Sequence, residues 1–384
     1  MKKKRFFYRL AGITAAVLIA AMTLCLVLTP EKAYSGREKR MLNGFPVLTW
    51  ESLKNGRFMD QIEDYAKDQF ALRDLAADVR NGLKLLTGDR ESNGVFYLKS
   101  GRLAERFTMP SDASIRTQMT EIRSFSAKNE TARQYFLLVP TAAALYPEEI
   151  PDFADPDSQH VYIDRILREL PEAVGAVDVR RAFTAEKGKS ELYYRTDHHW
   201  TTEGAKIAAE ELLKAMGLEM ADPGTGGVVS ASFMGSLAAK SGFRTVTPDA
   251  VTIYPIAPNP EEGYYFTVTY ADEQETAGTV YDAAALRGDD PYEVFFGGNH
   301  AEIEIRTSLE TGRRLLLIKD SYANALIPFL IGSFDEISVV DPRYYRGNLD
   351  ELTAEKGFTD IVFLYNANTL SEDTSLPMVL RNEQ

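Results

Sequence analysis

Apolar residues follow two patterns along this chain, short continuous runs and helical spacing. The change from one pattern to the other divides the chain into predicted elements. Five short runs are apolar at nearly every position, which is typical of strands buried on both faces of a parallel sheet. Stretches with apolar residues at helical spacing separate several of these runs. The predicted strands are 134–140, 175–179, 314–321, 336–342 and 360–366, and the predicted helices are 111–128, 160–170, 202–216 and 322–330.

This alternation predicts an α/β domain whose parallel sheet carries helices on both faces. Two segments depart from it. The first has apolar residues at helical spacing and predicts helices over 51–67 and 71–87, followed by a hairpin with its turn at 99–101. The second, 222–310, is rich in Gly, Thr, Val and Tyr. It predicts a mostly antiparallel β insertion beside the α/β core.

The beginning of the chain differs from the rest, because a basic start is followed by an uncharged apolar run. Leu10–Leu28 has about 19 residues, enough for a helix to cross most of a bilayer's hydrocarbon core. The positive charges before it predict a cytoplasmic start and an exported remainder. A membrane anchor over 1–29 and a polar linker over 30–50 would then precede a domain over 51–384. A cleaved signal peptide is the alternative, although no small-x-small cleavage site follows the run.

Charge, cysteine content and length narrow the classes of protein that fit. A net charge of −13 disfavours contact with nucleic-acid phosphates, so we predict no nucleic-acid partner. The single cysteine, Cys25, lies inside the apolar run, so an exported domain would use no disulfides and would depend on core size for stability. With 384 residues, the chain can bury a large core in one domain or two.

Two of the four histidines lie side by side in YYRTDHHWTTEG (193–204), next to one of only two tryptophans. In extended backbone Asp197 and His199 point to the same side, so the carboxylate can orient the imidazole as a general base. His198 is then expected to point away, and Trp200 to wall the site. A polar loop before a helix is the structural alternative. A metal site is the weaker one, because adjacent histidines do not easily converge in extended backbone and no HExxH or cysteine cluster accompanies them. We therefore predict neither a metal nor a cofactor.

Polar side chains also follow two of the predicted strands, at the edge where parallel sheets form their ligand crevice. Ser321 ends the strand 314–321 and begins a helix, whose N–H groups could stabilise an oxyanion. Asn366 and Asn368 come at the end of 360–366, and a side-chain amide could donate to the same oxyanion. Helix caps and strand-end turns use the same residue types, so these structural roles stay open.

Seven segments, taken in order, resemble the DHHW-motif proteins, a group related to the SGNH-type hydrolases and to the periplasmic proteins that O-acetylate alginate. They are DQFALRDL, NGVFYLKSGRL, VPTAAALYPEEIP, TDHHWTTEGA, LLLIKDSYANALIPFL, VVDPRYY and LYNANTL. The resemblance implies an SGNH-hydrolase-like (flavodoxin-like) fold and a catalytic triad of Asp197, His199 and Ser321. The candidates for oxyanion or substrate binding within these segments are Asn366, Asn368, Tyr322, Arg343 and Trp200. The chain has Lys319-Asp320-Ser321 where SGNH enzymes usually have Gly-Asp-Ser.

Two functions are compatible with these residues. The first is an exported, membrane-anchored serine O-acyltransferase or acyl-esterase that acts on O-acetyl groups of a cell-surface polysaccharide. By the same resemblance, a transferase of this kind needs a multi-pass membrane partner that brings the acyl group across the membrane. The second is a carbohydrate-binding or envelope assembly protein that retains the fold without turnover.

Overall fold

A computed structural model describes residues 2–152, 154–256, 265–271 and 275–383. Its first helix, α1 (Lys2–Leu28), contains the apolar stretch Phe6–Leu26, which has 21 residues and a mean hydropathy of 2.0. The most apolar part of this stretch is not buried against the rest of the protein. By length and composition this helix could cross a membrane, and a signal sequence would have the same properties.

The described residues fall into two units. One comprises the chain up to Arg90 together with Ala239–Arg244, and the other comprises Glu91–Ala238 and the chain from Thr245 onward. The domain predicted over 51–384 therefore includes parts of both units. Besides α1, the elements up to Arg90 are β1 (Tyr34–Ser35), β2 (Arg40–Met41), α2 (Trp50–Lys54), α3 (Arg57–Gln69) and α4 (Arg73–Leu86).

The two helices predicted over 51–87 are three helices in the structure. The second, predicted over 71–87, is confirmed as α4. The first is divided into α2 and α3 at Gly56, whose φ of +80° lies in the left-handed region that glycine adopts without strain. Helical periodicity does not reveal such a break, because the apolar spacing continues across it.

The remaining elements begin with a three-stranded antiparallel sheet that includes the predicted hairpin. The strands are β3 (Glu91–Ser92), β4 (Val95–Tyr97), β5 (Leu103–Glu105), β6 (Arg133–Val139), β7 (Val174–Val177), β8 (Gly227–Phe233), β9 (Asp249–Ile253), β10 (Phe266–Tyr270), β11 (Glu275–Ala277), β12 (Glu302–Thr307), β13 (Arg314–Lys319), β14 (Glu336–Val340) and β15 (Asp360–Asn366). The helices are α5 (Asp112–Lys128), α6 (Ala142–Leu145), α7 (Gln159–Glu169), α8 (Arg180–Glu186), α9 (Thr202–Ala215), α10 (Ser236–Ser241), α11 (Ala323–Leu326), α12 (Leu349–Lys356), α13 (Ala367–Glu372) and α14 (Ser375–Leu380).

The main sheet has eight strands in the order β11-β10-β12-β14-β13-β15-β6-β7. The five predicted strands are all present, and they form its parallel part, from β14 to β7. From the predicted insertion, β12, β10 and β11 are antiparallel as expected, but they extend the main sheet instead of lying beside it. The other two insertion strands, β8 and β9, pair as a separate antiparallel hairpin.

The central strand β13 shows why the parallel strands read as unbroken apolar runs. Leu315 and Leu317 pack into the core on one face of the sheet, and Leu316 and Ile318 pack into the core on the other. Both faces are covered by helices, so every position of the strand after Arg314 is buried. The predicted arrangement of an α/β sheet with helices on both faces is confirmed.

Residues that follow the parallel strands lie together at the carboxyl edge of the sheet. The chain leaves β13 at Asp320, β14 at Asp341 and β15 at Asn366. The helix predicted over 322–330 is shorter in the structure, where α11 is followed by a 3₁₀ turn over Ile327–Phe329. Pro328 in that turn has no N–H with which to continue an α-helix.

Candidate active site

Ser321 lies immediately after β13, and the carboxylate of Asp320 determines the shape of its turn. Asp320 Oδ1 accepts the Tyr322 N–H at 2.9 Å, and Oδ2 accepts the backbone and side-chain N–H groups of Asn366 at 2.8 and 2.7 Å. Burial raises the pKa of Asp320 to about 6, although these hydrogen bonds favour its charged form. The serine turn is thus tied to the end of the neighbouring strand β15.

The imidazole of His199 lies between Asp197 and Ser321. His199 Nδ1 is 2.6 Å from Asp197 Oδ1, and Nε2 is 2.8 Å from Ser321 Oγ. With the proton on Nδ1, Asp197 accepts that hydrogen bond and Nε2 accepts one from the serine hydroxyl. All three side chains are buried. A hydroxyl, a base and an orienting carboxylate in this order are what activation of a serine nucleophile requires.

Burial and charge act in opposite directions on this pair. Burial, helped by the neighbouring His198, lowers the pKa of His199 to about 4, and Asp197 raises it by less. For Asp197, burial alone would raise the pKa, but the two imidazoles and the Ser236 N–H hold it well below its ordinary value. At neutral pH the carboxylate is therefore ionised and the imidazole neutral, which is the form a general base needs.

The depressed pKa of His199 predicts the pH dependence of turnover. A general base works when deprotonated, so lowering its pKa moves the acid limb of the profile to lower pH. We expect kcat/KM for an activated acetyl ester to stay near its maximum well below pH 6.5 and to fall as pH approaches about 4. A pH–rate profile measures this. An acid limb centred at pH 6.5 would contradict it and would indicate a solvated imidazole.

Two groups from the segment 222–310 contact the pair formed by Asp197 and His199. The Ser236 N–H donates to Asp197 Oδ2 at 2.7 Å. The Tyr292 ring stacks on His199 with centroids 3.9 Å apart and an interplanar angle of 10°, and its hydroxyl donates to the Ser321 carbonyl at 3.1 Å. The sequence analysis missed both residues, because neither lies in a motif that distinguishes it from the other serines and the 19 tyrosines.

A second carboxylate, Asp249 at the start of β9, holds the backbone just before Asp197. It accepts the Arg195 and Thr196 N–H groups at 2.7 and 2.8 Å and the Thr196 hydroxyl at 2.6 Å. Burial raises the pKa of Asp249, while these donors lower it. Thr196 Oγ1 in turn accepts the Gly235 N–H at 2.9 Å. The loop that carries Asp197 and His199 is therefore attached to two parts of the insertion.

The substitution Asp249→Asn is expected to reduce kcat about tenfold and leave KM nearly unchanged, since loss of a buried charge-assisted hydrogen bond costs ~1.5–3 kcal/mol. The amide keeps one acceptor oxygen for three donors, so the loop should no longer hold Asp197 and His199 in place. Steady-state kinetics on an activated ester would measure the effect. Asp289→Asn, an exposed aspartate of the same insertion, is the matched control. Equal kcat values for the two variants would contradict the positioning role.

His198 does not point away from the site as expected. Its ring centroid lies 3.8 Å from that of His199, and its Nδ1 lies 2.6 Å from Ser236 Oγ. One ligand atom each from Asp197, His198 and His199 lies within 4.8 Å of the others, because the backbone over 195–199 is bent and not extended as the prediction assumed. A cation here would compete with the hydrogen bonds that link Asp197 to His199. The absence of a metal stays a prediction.

The two asparagines predicted as oxyanion donors have their amides engaged within the protein. Asn366 Nδ2 donates to Asp320 and, at 2.6 Å, to Thr369 Oγ1, while its Oδ1 accepts the Thr369 N–H and caps α13. Asn368 Nδ2 donates to Glu105 and the Arg106 carbonyl, both at 3.2 Å. Their structural roles are visible, and an oxyanion role stays a prediction for either.

The other three candidates differ from expectation in where their side chains lie. Trp200 is fully buried and donates from Nε1 to the Tyr322 carbonyl at 2.9 Å, so it joins the two loops and does not wall an open site. Tyr322 is also buried, and its hydroxyl donates to the His198 carbonyl. Arg343 binds Asp341 through Nε and Nη2 at 2.8 and 2.6 Å. Lys319 binds the same carboxylate at 3.1 Å and the Asn324 side-chain oxygen at 2.9 Å, and the Asn324 N–H donates to the Ser321 carbonyl at 3.3 Å.

A cavity of about 20 Å³ adjoins the pair formed by Asp197 and His198. This space holds about one water molecule, so a bound substrate would need this part of the surface to open. The side chains around it come from six separate parts of the chain. They belong to Ala104, Glu105, Thr141, Ala142, Asp197, His198, Leu237, Tyr322, Asn366 and Thr369.

Comparison of the sequence with protein families places this site in a known type of domain. The family described as "SGNH hydrolase-like domain, acetyltransferase AlgX" matches residues 103–286. Over these residues the chain is similar to the domain that this family describes. The matched segment includes Asp197 and His199 and ends before Ser321. The resemblance found in the sequence is thereby confirmed.

Solved structures support the fold of the SGNH-like domain. A DHHW family protein from Eubacterium siraeum is 24 % identical and has a TM-score of 0.64, covering 76 % of this chain and 96 % of the other. Bacillus cereus PatB1, solved with a sulfonyl adduct, is 18 % identical and has a TM-score of 0.62, covering 76 % and 98 %. At these identities the likeness concerns the fold alone.

Two relatives by sequence are both named "probable alginate O-acetylase AlgJ". The one from Pseudomonas fluorescens is 26 % identical over 192 residues, which are 46 % of this chain and 47 % of the relative. The one from Pseudomonas syringae pv. tomato is 24 % identical over 185 residues, or 45 % and 46 %. The chain spans about half the length of the curated relatives it matches.

Proposed function

We propose that this protein is an exported serine O-acyltransferase that transfers acetyl groups to a cell-envelope polysaccharide. The proposal is carried by the hydrogen bonds from Asp197 through His199 to Ser321, with distances of 2.6 and 2.8 Å. The relationship to proteins named for O-acetylation supports acetyl as the acyl group and a polysaccharide as the acceptor.

In the first half-reaction Ser321 Oγ attacks the carbonyl carbon of an acyl donor. His199 Nε2 takes the hydroxyl proton, and the carboxylate of Asp197 stabilises the imidazolium that forms. When the tetrahedral intermediate collapses, the imidazolium returns the proton to the leaving group and an acyl ester remains on Ser321. In the second half-reaction a sugar hydroxyl attacks this ester with the same general base. Attack by water instead would make the protein an acyl-esterase.

The backbone N–H of Ser321 is our first candidate for the oxyanion donor. Among the described residues it has no acceptor, whereas the next N–H, of Tyr322, is already donated to Asp320. Preformed backbone donors of this kind stabilise negative charge that develops on a carbonyl oxygen. The amide of Asn366 would become a second donor if its bond to Thr369 opened.

The proposal includes anchoring by α1 with the SGNH-like domain outside the cytoplasm. It is supported by the basic residues that precede the apolar stretch Phe6–Leu26. One spanning helix cannot carry an acyl group across the bilayer, so a multi-pass membrane partner would supply the donor. Arg343 and the aromatic residues of the site stay candidates for contact with the acceptor.

Covalent trapping tests the proposal directly. A sulfonyl fluoride should modify the full chain once, and peptide mass spectrometry should locate the adduct at Ser321, because a serine activated by an imidazole reacts faster than an ordinary hydroxyl. The same protein, incubated with nitrophenyl acetate and an oligosaccharide, should produce acetylated sugar. Modification that is spread over several serines, or equal in Ser321→Ala, would reject the serine mechanism.

One feature favours the alternative of a carbohydrate-binding protein. A pocket of about 450 Å³ is lined by residues of β9 and by residues that precede and follow the DHHW motif. Its lining offers hydroxyl, carboxylate and guanidinium groups for sugar hydroxyls, including Glu191, Arg195, Thr201, Glu203 and Tyr254. Glycan binding that is equal in the wild type and in Ser321→Ala, with no turnover of any acetyl ester, would favour this alternative.

A further inference from the structure

Helix α4 exposes its apolar face, and its one buried residue, Asn81, lies on the opposite side. Five apolar residues follow one another at positions i, i+3, i+7, i+11 and i+14, which is a single stripe along a helix. Each is between 54 and 85 % exposed. This apolar stripe of α4 consists of Leu72, Leu75, Val79, Leu83 and Leu86.

The opposite face of α4 is attached to its own unit by polar contacts. Asn81 is buried, and its Nδ2 lies 3.5 Å from the Ser241 carbonyl. A Cβ at Gly242 would lie only 2.5 Å from the same nitrogen, so the Asn81 side chain lies directly against the backbone of Gly242. Asp78, nearby on that side, forms an ion pair with Arg37. These contacts hold the helix with its stripe outward.

We infer that the apolar stripe of α4 lies on the outer surface of the same bilayer that α1 is proposed to span. A monomeric soluble protein rarely exposes a continuous apolar strip, and such strips mark contact with a protein or a membrane. An amphipathic helix on a bilayer buries its apolar face at the boundary between headgroups and acyl chains. Helix α4 lies near that boundary, because α1 and α4 belong to one compact unit.

Charge and the neighbouring residues favour lipid as the occupant. Residues 30–90 carry 11 Lys and Arg against 10 Asp and Glu, whereas residues 91–384 carry 27 against 46. An anionic membrane surface would therefore repel the rest of the exported chain but not this segment. The segment between α1 and α3 exposes further large apolar side chains, including a tryptophan, a residue enriched at membrane interfaces. They are Phe45, Val47, Leu48 and Trp50.

A second copy of the chain is the competing occupant. Two 14-residue helices that meet through five side chains each bury a small surface compared with the ~1,200–2,000 Å² of stable protein interfaces. The bilayer needs no such area, since α1 already holds the protein at the membrane in this proposal. The inference thus rests on the anchoring described under Proposed function but adds a second, separate contact with lipid.

Two cysteine variants of the full chain provide a matched test. Leu83→Cys lies on the stripe, and Asp74→Cys is exposed on the opposite side of the same helix. Both are made with Cys25→Ser, which removes the only native cysteine. Each is labelled with a nitrobenzoxadiazole dye and reconstituted into phosphatidylcholine–phosphatidylglycerol vesicles that contain doxyl-labelled lipid. We expect at least about threefold more quenching, with a blue-shifted emission, at position 83 than at position 74.

The outcomes distinguish lipid contact by the apolar stripe of α4 from membrane anchoring by α1. A dye on the native Cys25 of the otherwise unaltered chain reports on α1, because that residue is exposed within the apolar stretch. Quenching at Cys25 with equal, weak quenching at 83 and 74 would overturn lipid contact by α4 while leaving the anchor intact. Quenching at none of the three positions would overturn both. Efficient disulfide crosslinking between Leu83→Cys chains in these vesicles would also overturn the inference, in favour of a second copy.

Discussion

Ser321→Ala is expected to reduce kcat on a small activated acetyl ester by about a thousandfold or more, because residues of a serine triad act as one unit. The substitution removes the atom that lies 2.8 Å from His199 Nε2 and leaves no nucleophile in its place. His199→Ala should cost nearly as much, and the double variant should be no worse than either single one. Release of nitrophenol from nitrophenyl acetate measures all three.

The neighbouring strand offers a matched control for this result. Ser338 in β14 is also a buried serine, and its hydroxyl has no hydrogen-bond partner among the described residues. Ser338→Ala should therefore keep wild-type turnover. Thermal unfolding followed by circular dichroism should show that Ser321→Ala is folded. Wild-type activity in Ser321→Ala would exclude the serine mechanism.

His198→Ala should reduce turnover much less than His199→Ala. The His198 ring packs beside that of His199 at 3.8 Å but makes no hydrogen bond to Ser321 among the described contacts. Its loss should therefore affect the packing and the pKa of the base while leaving the proton acceptor in place. Equal losses at the two histidines would favour a structural or metal-binding role for the whole motif.

Gly235→Ala is the second substitution expected to have a large effect. A Cβ at this position would lie 2.2 Å from the Cβ of Asp197 and 2.5 Å from its Oδ2. Asp197 cannot move aside, because the Ser236 N–H and His199 hold both of its carboxylate oxygens. Overpacking of this kind costs about 1–3 kcal/mol of unfolding free energy or more. Displacement of Asp197 should in addition lower kcat about a hundredfold, by loss of the orienting carboxylate.

Urea unfolding and ester turnover, measured on the same samples, test this prediction. The matched control is Gly227→Ala in β8, where an added Cβ would meet no atom within 4 Å. The control should change neither the unfolding free energy nor kcat by a measurable amount. If the two alanine variants behave alike, then Asp197 is not confined by the backbone at Gly235, and the loop is more adaptable than its hydrogen bonds indicate.

Local pattern predicted the parallel strands, whereas the candidate triad was implied by the resemblance to the DHHW-motif proteins. Leu315 to Ile318 can be unbroken and apolar only in a strand that is covered on both faces, so the run itself indicated a central strand. For Ser321 the pattern indicated a place at the carboxyl edge of the sheet, where parallel strands form their ligand crevice. Asp197 and His199 follow no strand of the parallel sheet, so only the motif pointed to them.

The residues that surround the candidate triad could not be predicted in this way. Tyr292, Ser236 and Asp249 come from the insertion, where the sequence predicts strands but not their partners. Which strand pairs with which depends on contacts between residues far apart in the chain, and period-two patterns do not specify them. The same applies to β10–β12, which join the main sheet at its β14 edge.

The apolar stripe of α4 shows most clearly what the sequence by itself determined and what only the tertiary structure decided. The spacing of Leu72, Leu75, Val79, Leu83 and Leu86 determined that the segment is helical and has one apolar face, because periodicity is a local property. It did not determine what covers that face. Burial depends on which surfaces meet in three dimensions, and here the contacts of Asn81 with Ser241 and Gly242 turn the polar side inward.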